Sequence, residues 1–228
     1  MRYAVYLAPL PESRWWRAGC SWLGQDAASD VAVCQPLVEG ISAERMEALT
    51  RQPARYGWHA TLKAPFAPAA GVSQAMLLQQ LSLLAQRFQP FDLPLQIARL
   101  GDFLALRPRQ DCAQLDELAT SCVVALETMA DRQQASRPRM GLDARQQDLQ
   151  QRWGYPYVFE QYRCHFTLSD ALEAETEAQW LQQGAERHFA ALPPLTVEGL
   201  ALFVEDGPGA TFRYLAHCGF NGEVRHVA

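Results

Sequence analysis

Apolar and polar positions follow two periods along this chain, a period of two that predicts strands and a period near 3.6 that predicts helices. Residues 3–8 (Tyr-Ala-Val-Tyr-Leu-Ala) predict a strand ended by Pro9 and Pro11. Ser13 to Leu23 predicts a short helix with Trp15, Trp16 and Trp22 available for packing. Residues 24–55 are mixed, apart from Ser42 to Thr50, which predicts a capped helix. Arg55 to Lys63 predicts a strand stopped by Pro65 and Pro68. Ser73 then caps a helix whose apolar stripe is Leu77, Leu81, Leu84 and Phe88. Leu93 to Arg99 alternates as a strand, Gly101-Asp102 turns, and Phe103 to Arg107 returns. Asp111, with Gln114 at the capping-box position, opens a helix with the stripe Leu115, Leu118, Cys122, Leu126 and Met129.

Residues 131–141, with Arg132, Arg137, Pro138, Arg139 and Gly141, form the most polar connector. Asp143 and Gln146 cap a helix that runs to Trp153 and is closed by Gly154 and Pro156. Tyr157 to Leu168 contains a further strand, and a helix from about Glu173 to Ala191 follows it. Strands Leu195–Glu205 and Thr211–Phe220, about the turn Asp206-Gly207-Pro208-Gly209, complete the chain.

The two halves repeat this pattern: strand, helix, Pro-containing link, strand, Gly turn, strand. His59 precedes the link strand at Leu95 by 36 residues, and His165 precedes Val197 by 32. The repeat divides the chain into residues 1–110 and 111–228, read as two halves of one domain. Both halves open on the same four-residue stretch, His59-Ala60-Thr61-Leu62 and His165-Phe166-Thr167-Leu168. In a strand, residues i and i+2 share a face, so each imidazole and hydroxyl point the same way, roughly 7 Å apart. Coincidence would give two such pairs with a probability on the order of one in a hundred.

Composition narrows the classes. A net charge of −5 and a pI near 5.5 argue against a protein built to coat nucleic acid. A small anionic phosphoester substrate stays compatible, because a local cluster of Arg can outweigh the global balance. Neither a signal peptide nor 18 consecutive apolar residues is present, so a cytoplasmic protein without a membrane partner is expected. The six cysteines are dispersed without a Cys-x-x-Cys pair and read as reduced thiols.

The residue types suit acid–base work on a phosphate ester. An imidazole with a pKa near ~6.5 can take a proton from water while a second gives one to a leaving oxygen. The hydroxyls of Thr61 and Thr167 can donate to non-bridging phosphate oxygens as charge builds. No metal and no cofactor are expected, since no His-x-His or His-x-x-x-His ligand spacing occurs. His188 reads as a helix-end residue, His217 as half-buried in the last strand, and His226 as part of a tail. Regular strand geometry would put Lys63 with Thr61 and His59, and Arg163 with His165 and Thr167, as phosphate contacts. Lys63 is the sole lysine. Tyr56, Tyr155, Tyr157 and Phe166 could line a sugar or base subsite, or serve as core.

The paired His-x-Thr motifs in two halves of one chain resemble the 2H phosphoesterase superfamily, which includes 2′-5′ RNA ligase-like proteins and cyclic phosphodiesterases. Arg55-Tyr56-Gly57-Trp58-His59-Ala60-Thr61-Leu62-Lys63-Ala64-Pro65-Phe66 is similar to the branch associated with phosphonate-degradation genes. Gly154-Tyr155-Pro156-Tyr157-Val158 and Tyr162-Arg163-Cys164-His165-Phe166-Thr167-Leu168 are similar to it too. The resemblance implies an α+β fold, bilobal, with two mainly antiparallel sheets flanking a central cleft and helices outside. It implies His59 and His165 as general acid and base, in an order the sequence leaves open, with Thr61 and Thr167 on the phosphate. The implied activity is metal-independent hydrolysis of a small cyclic phosphodiester, of ribose or a nucleotide. Two alternatives stand beside it: processing of RNA 2′,3′-cyclic-phosphate or 2′-5′ ends, and binding of a phosphate ester without catalysis. An extended nucleic-acid partner would need a basic track that the acidic balance does not provide.

Overall fold

The strand-forming runs assemble into one eight-stranded antiparallel sheet in the computed structural model, which describes residues 1–132 and 140–227. Arg137, Pro138 and Arg139 of the polar connector lie outside the described residues. The strands are β1 (Arg2–Leu7), β2 (Gln25–Asp26), β3 (Val31–Ala32), β4 (Ala60–Phe66), β5 (Phe91–Leu93) and β6 (Leu95–Leu100). They continue with β7 (Phe103–Pro108), β8 (Phe166–Thr167), β9 (Leu195–Val197), β10 (Gly199–Glu205), β11 (Phe212–Gly219) and β12 (Val224–His226). The helices are α1 (Arg14–Leu23), α2 (Ala43–Tyr56), α3 (Gln74–Ala85), α4 (Ala113–Ala125), α5 (Ala144–Trp153) and α6 (Glu175–Phe189). Across the main sheet the order is β12-β11-β10-β1-β4-β8-β7-β6. Two small ribbons, β2–β3 and β5–β9, stand outside it. None of the described helices is long and apolar enough to cross a membrane.

The α+β class is as expected. The two motif strands β4 and β8 pair with each other, and so do β5 and β9. The expected two sheets are joined by hydrogen bonds into one, through Ala60 opposite Phe166 at the centre. The hairpin β6–β7 follows β4 in sequence but lies beside β8. Likewise the hairpin β10–β11 follows β8 but joins β1, which lies next to β4. Sequence halves are thus interleaved in the sheet.

Several boundaries move for identifiable reasons. Arg55 and Tyr56 belong to the end of α2 and not to the motif strand, which starts at Ala60. The helix runs through Pro53, whose missing N–H would leave the Leu49 carbonyl without its intrahelical donor. That carbonyl accepts the Asp170 N–H at 2.6 Å, so the segment after the second motif completes the helix. Pro94 splits the expected strand Leu93–Arg99 into β5 and β6. Asp111 does not cap α4, which starts one residue later with Cys112 at the cap and no side-chain bond. The capping box at α5 forms as expected from Asp143 and Gln146. His226 is not in a tail but pairs in β12 against Ala216.

Behind the central seam the core is aromatic. Trp58 stacks on Phe166 with ring centroids 5.0 Å apart and on Phe189 at 5.6 Å. Trp22 reaches across from α1 to donate its indole N–H to the Leu168 carbonyl at 2.8 Å. Gly19 of α1 faces this stack so closely that a Cβ there would lie 2.0 Å from the Trp58 ring. Gly19→Ala should therefore displace Trp58 and lower stability by about 1–3 kcal/mol, the usual range for overpacking a tight core. Thermal unfolding would register this as a fall of several degrees. An unchanged midpoint would mean that α1 and Trp58 separate without penalty.

Candidate active site

The seam pair Ala60–Phe166 sets the geometry of the motif residues. One residue to either side, the antiparallel register puts His59 across from Thr167 and Thr61 across from His165. Facing residues of a ladder share a side, so all four lie on one face while Ala60 and Phe166 are buried on the other. The imidazoles occupy one diagonal and the hydroxyls the other, with diagonal Cα separations of about 7–8 Å.

Each imidazole is held by its own half in the same manner. His59 Nδ1 lies 2.9 Å from the Gly57 carbonyl, and His165 Nδ1 lies 2.6 Å from the Arg163 carbonyl. A carbonyl only accepts, so Nδ1 carries the proton in both rings and Nε2 keeps its lone pair. Thr61 Oγ1 is 3.3 Å from His59 Nε2 and can donate to it. Gly57 reaches its position with φ +76°, where the α2 chain turns into the motif. A Cβ there would also meet Ala27 at 2.7 Å.

Electrostatics keep both rings neutral. Burial pushes His59 down to about 4, against the Gly57 hydrogen bond that favours its charge, and the nearby charge of His165 lowers it further. Burial likewise lowers His165, with the Arg163 carbonyl opposing and the Arg107 guanidinium adding to the fall. The influence of His165 on His59 fits a shared cleft.

Of the other residues singled out from sequence, Tyr56 lies at the site, with its ring centroid 6.3 Å from His59. Arg55 covers that tyrosine at 4.9 Å and is tied to the buried Glu205, as is Arg2. Burial works against the charge on Glu205, but Arg2, the Gly209 N–H and Arg55 outweigh it and hold the carboxyl below its usual range. Tyr157 sits edge-on against Tyr155, with ring centroids 5.6 Å apart.

Lys63 does not share the face of Thr61. The ladder pairs Tyr6 with Thr61 but Val5 with Lys63, and this bulge turns Lys63 to the opposite side. There it is buried, 3.3 Å from Glu127 of the turn after α4, and burial and Arg132 push its ammonium down to about 8. Arg163 lies before β8 and is exposed. Its guanidinium donates to the Glu160 and Tyr162 carbonyls, so its link to the site runs through its own carbonyl on His165. A cavity of about 940 Å³ is lined in part by Lys63, Arg132, Trp153 and Tyr155 and by none of the four motif residues. His188 bonds the Ala18 carbonyl at 2.9 Å, and His217 is buried against Tyr214, at 2.8 Å from its hydroxyl. Among the described residues no group of three or more His, Cys, Asp or Glu could hold a metal ion.

Three further residues belong to the site. Tyr6 pairs with Thr61 across β1–β4 and stacks on His59 at 3.7 Å, with its hydroxyl buried and unpartnered among the described residues. Phe103 of β7 approaches His165 at 5.7 Å. Arg107 follows the β7–β8 register, Ala105 to Thr167 and Leu106 to Phe166, to a place opposite His165. Their strands were legible, but only the pairing of β1 and β7 with the motif strands separates these side chains from ordinary strand residues.

A family described as a protein of unknown function, DUF1045, matches residues 61–213. Two curated relatives carry the name ribose 1,5-bisphosphate phosphokinase PhnN. The protein from Laribacter hongkongensis is 50% identical over 93% of this chain and 50% of its own length. That from a Janthinobacterium species is 39% identical over 97% of this chain and 51% of its own. The chain spans about half the length of these relatives. A crystal structure of E. coli LigT complexed with 3′-AMP covers 93% of this chain and 92% of that chain, at 18% identity and a TM-score of 0.41.

The neutral imidazoles set a pH dependence. Above the unfolded-state pKa of about 6.5 both states are neutral, and the stability tied to the low native value is fully present. Between about 6.5 and about 4 the unfolded chain binds a proton that His59 refuses, so stability falls as pH falls through that window. His217, lowered to about 4 by burial and by Arg225 against Glu12 and Glu223, adds to the same loss. Urea midpoints should decline from pH 7 to pH 4.5, and His59→Gln should flatten the decline. NMR titration of the rings gives the direct reading; a His59 midpoint at or above about 6.5 would contradict its burial.

Proposed function

The chain belongs to the DUF1045 family and carries the paired His-x-Thr strands of a 2H phosphoesterase of the phosphonate branch; from that premise we propose that it hydrolyses a small cyclic phosphodiester of ribose 5-phosphate by two-histidine acid–base catalysis. The crossed arrangement of His59, Thr167, Thr61 and His165 about one ladder pair is the observation that carries this reading. A phosphorus atom over the seam has an imidazole on either side, as in-line attack and departure require. The two hydroxyls on the other diagonal reach the non-bridging oxygens, where charge gathers.

His59, the more firmly neutral ring, takes a proton from the attacking water through Nε2. His165 gives a proton to the oxygen that leaves. The anionic substrate itself raises the proton affinity of His165 when it binds and so arms the acid. Water adds its hydroxyl to phosphorus, one phosphorus–oxygen bond breaks, and the freed sugar oxygen ends as a hydroxyl. The donors of the site perform these steps without a metal.

The names of the relatives support the choice of sugar. Each is about twice as long as this chain and is called a ribose 1,5-bisphosphate phosphokinase. A phosphate-cradling loop of the Gly-x-x-x-x-Gly-Lys type is absent here, because the single lysine, Lys63, follows Leu62. That supports reading the phosphokinase activity in the relatives' names as belonging to the part of their length this chain does not span. Cleavage of a ribose 1,2-cyclic phosphate at the bond to O2, with a phosphate on C5, yields the ribose 1,5-bisphosphate that such a kinase takes.

Ribose 1,2-cyclic phosphate bearing a 5-phosphate should be turned over with or without a chelator. His59→Ala and His165→Ala should each lose at least about 10²–10⁴-fold in rate. On a phosphodiester with a nitrophenolate leaving group, which needs no acid, His165→Ala should keep most of its turnover and His59→Ala should not. Full activity of either variant on the cyclic sugar would sink the proposal. Tight binding without product over long incubation would point instead to a binding protein.

A further inference from the structure

Among the described residues, the cations around the cleft are already committed, with one exception. Arg2 and Arg55 are paired with Glu205, Lys63 and Arg132 with Glu127, and Arg163 with carbonyls of its own loop. Arg107 makes no ion pair or hydrogen bond among the described residues, although its Nε is buried. A guanidinium held this way without a partner is a ready site for an anion, since a buried donor left unpaired is costly.

The position of Arg107 limits which anion it can meet. It stands on β7, one strand beyond β8, on the face that carries His165 and Thr167. Ala105, between Arg107 and Phe103 on that face, is a small residue, and Gln96 of β6, opposite Arg107, is exposed. With strands about 4.8 Å apart, the backbone of Arg107 is about 7 Å to one side of the seam where the reacting phosphorus sits. That offset is comparable to the reach of a pentose. The reacting phosphate already has two hydroxyls and two imidazoles about it.

We infer that Arg107 anchors a second phosphate of the substrate, the one on C5 of the sugar, and so makes the site specific for a cyclic phosphodiester that carries another phosphomonoester. The inference rests on the hydrolytic reading above and specifies its substrate. The planar fork of the guanidinium grips a phosphate with two parallel hydrogen bonds, which a lysine cannot copy. Binding the sugar at its far end fixes the angle of the ring over the two imidazoles. Arg107 is therefore a specificity residue, and its loss should appear in KM more than in kcat.

Two measurements test it. In the first, kcat/KM is compared for ribose 1,2-cyclic phosphate with and without the 5-phosphate, in wild type, Arg107→Gln and Arg107→Lys. Wild type should prefer the 5-phosphorylated sugar by on the order of 10–100-fold. That preference should collapse toward unity in Arg107→Gln and persist in part in Arg107→Lys. An unchanged ratio in Arg107→Gln would overturn the inference. In the second, calorimetry follows ribose 5-phosphate and ribose binding to the same proteins, whose thermal unfolding is recorded alongside. Ribose 5-phosphate should bind about 10-fold or more weakly to folded Arg107→Gln, and equal binding would overturn the assignment. This arm stands even if neither cyclic sugar is hydrolysed, a result that would remove the hydrolytic reading alone.

Discussion

A single ladder pair, Ala60 opposite Phe166, joins the two halves of the sheet, and the site is built on it. So short a contact would not hold two strands in register by its hydrogen bonds alone. It is fastened from behind, where Trp58 stacks on Phe166 and on Phe189 and Trp22 bonds the Leu168 carbonyl. The Asp170 N–H closes the carbonyl that Pro53 leaves open in α2. These ties come from α1, α2 and α6, elements remote from one another in sequence. A slip of one residue at the seam would turn every motif side chain to the core face.

The same burial that fixes the seam shapes its chemistry. Both imidazoles sit in a poorly solvated cleft, donate Nδ1–H to a carbonyl two residues back and keep Nε2 as an acceptor. Burial favours the neutral ring in each case, and a charge on His165 would lower His59 further, as Arg107 lowers His165. An anionic ligand reverses that balance, so the resting site is neutral and becomes polarised only when occupied. Stacking of Tyr6 on His59 removes one side of that ring from water and contributes to the stronger depression there. The asymmetry between the two histidines thus arises from their surroundings, the packing of Tyr6 and the Thr61 hydroxyl at Nε2 of His59, because their Nδ1 hydrogen bonds match.

The cationic surroundings follow a different logic from the strand pattern. Lys63 and Arg163 flank the motifs at symmetric distances in sequence, yet neither guanidinium nor ammonium points to the shared face. A bulge at Leu62 turns Lys63 toward Glu127, and β8 is too short to carry Arg163 in extended register. Arg107, which has no motif around it, comes to the site by the pairing of β7 with β8. Residues that flank a motif are placed by local backbone geometry, while residues across a ladder are placed by a register that the local sequence does not state.

What the sequence by itself determined was the α+β composition, the helix stripes and the two His-x-Thr pairs. Those properties follow from short-range periodicity, capping chemistry and turn residues, each readable within a dozen positions. The helical fate of Arg55 and Tyr56 was not readable, since a proline at position 53 normally argues for a helix end and only the distant Asp170 N–H compensates it. Joining the halves into one sheet, crossing the imidazoles over the seam, turning Lys63 away and bringing Tyr6, Phe103 and Arg107 in were decided by tertiary structure. All of these depend on which strand lies beside which, and that choice is made by the burial of Trp22, Trp58, Phe166 and Phe189 together, contacts between residues far apart in the chain.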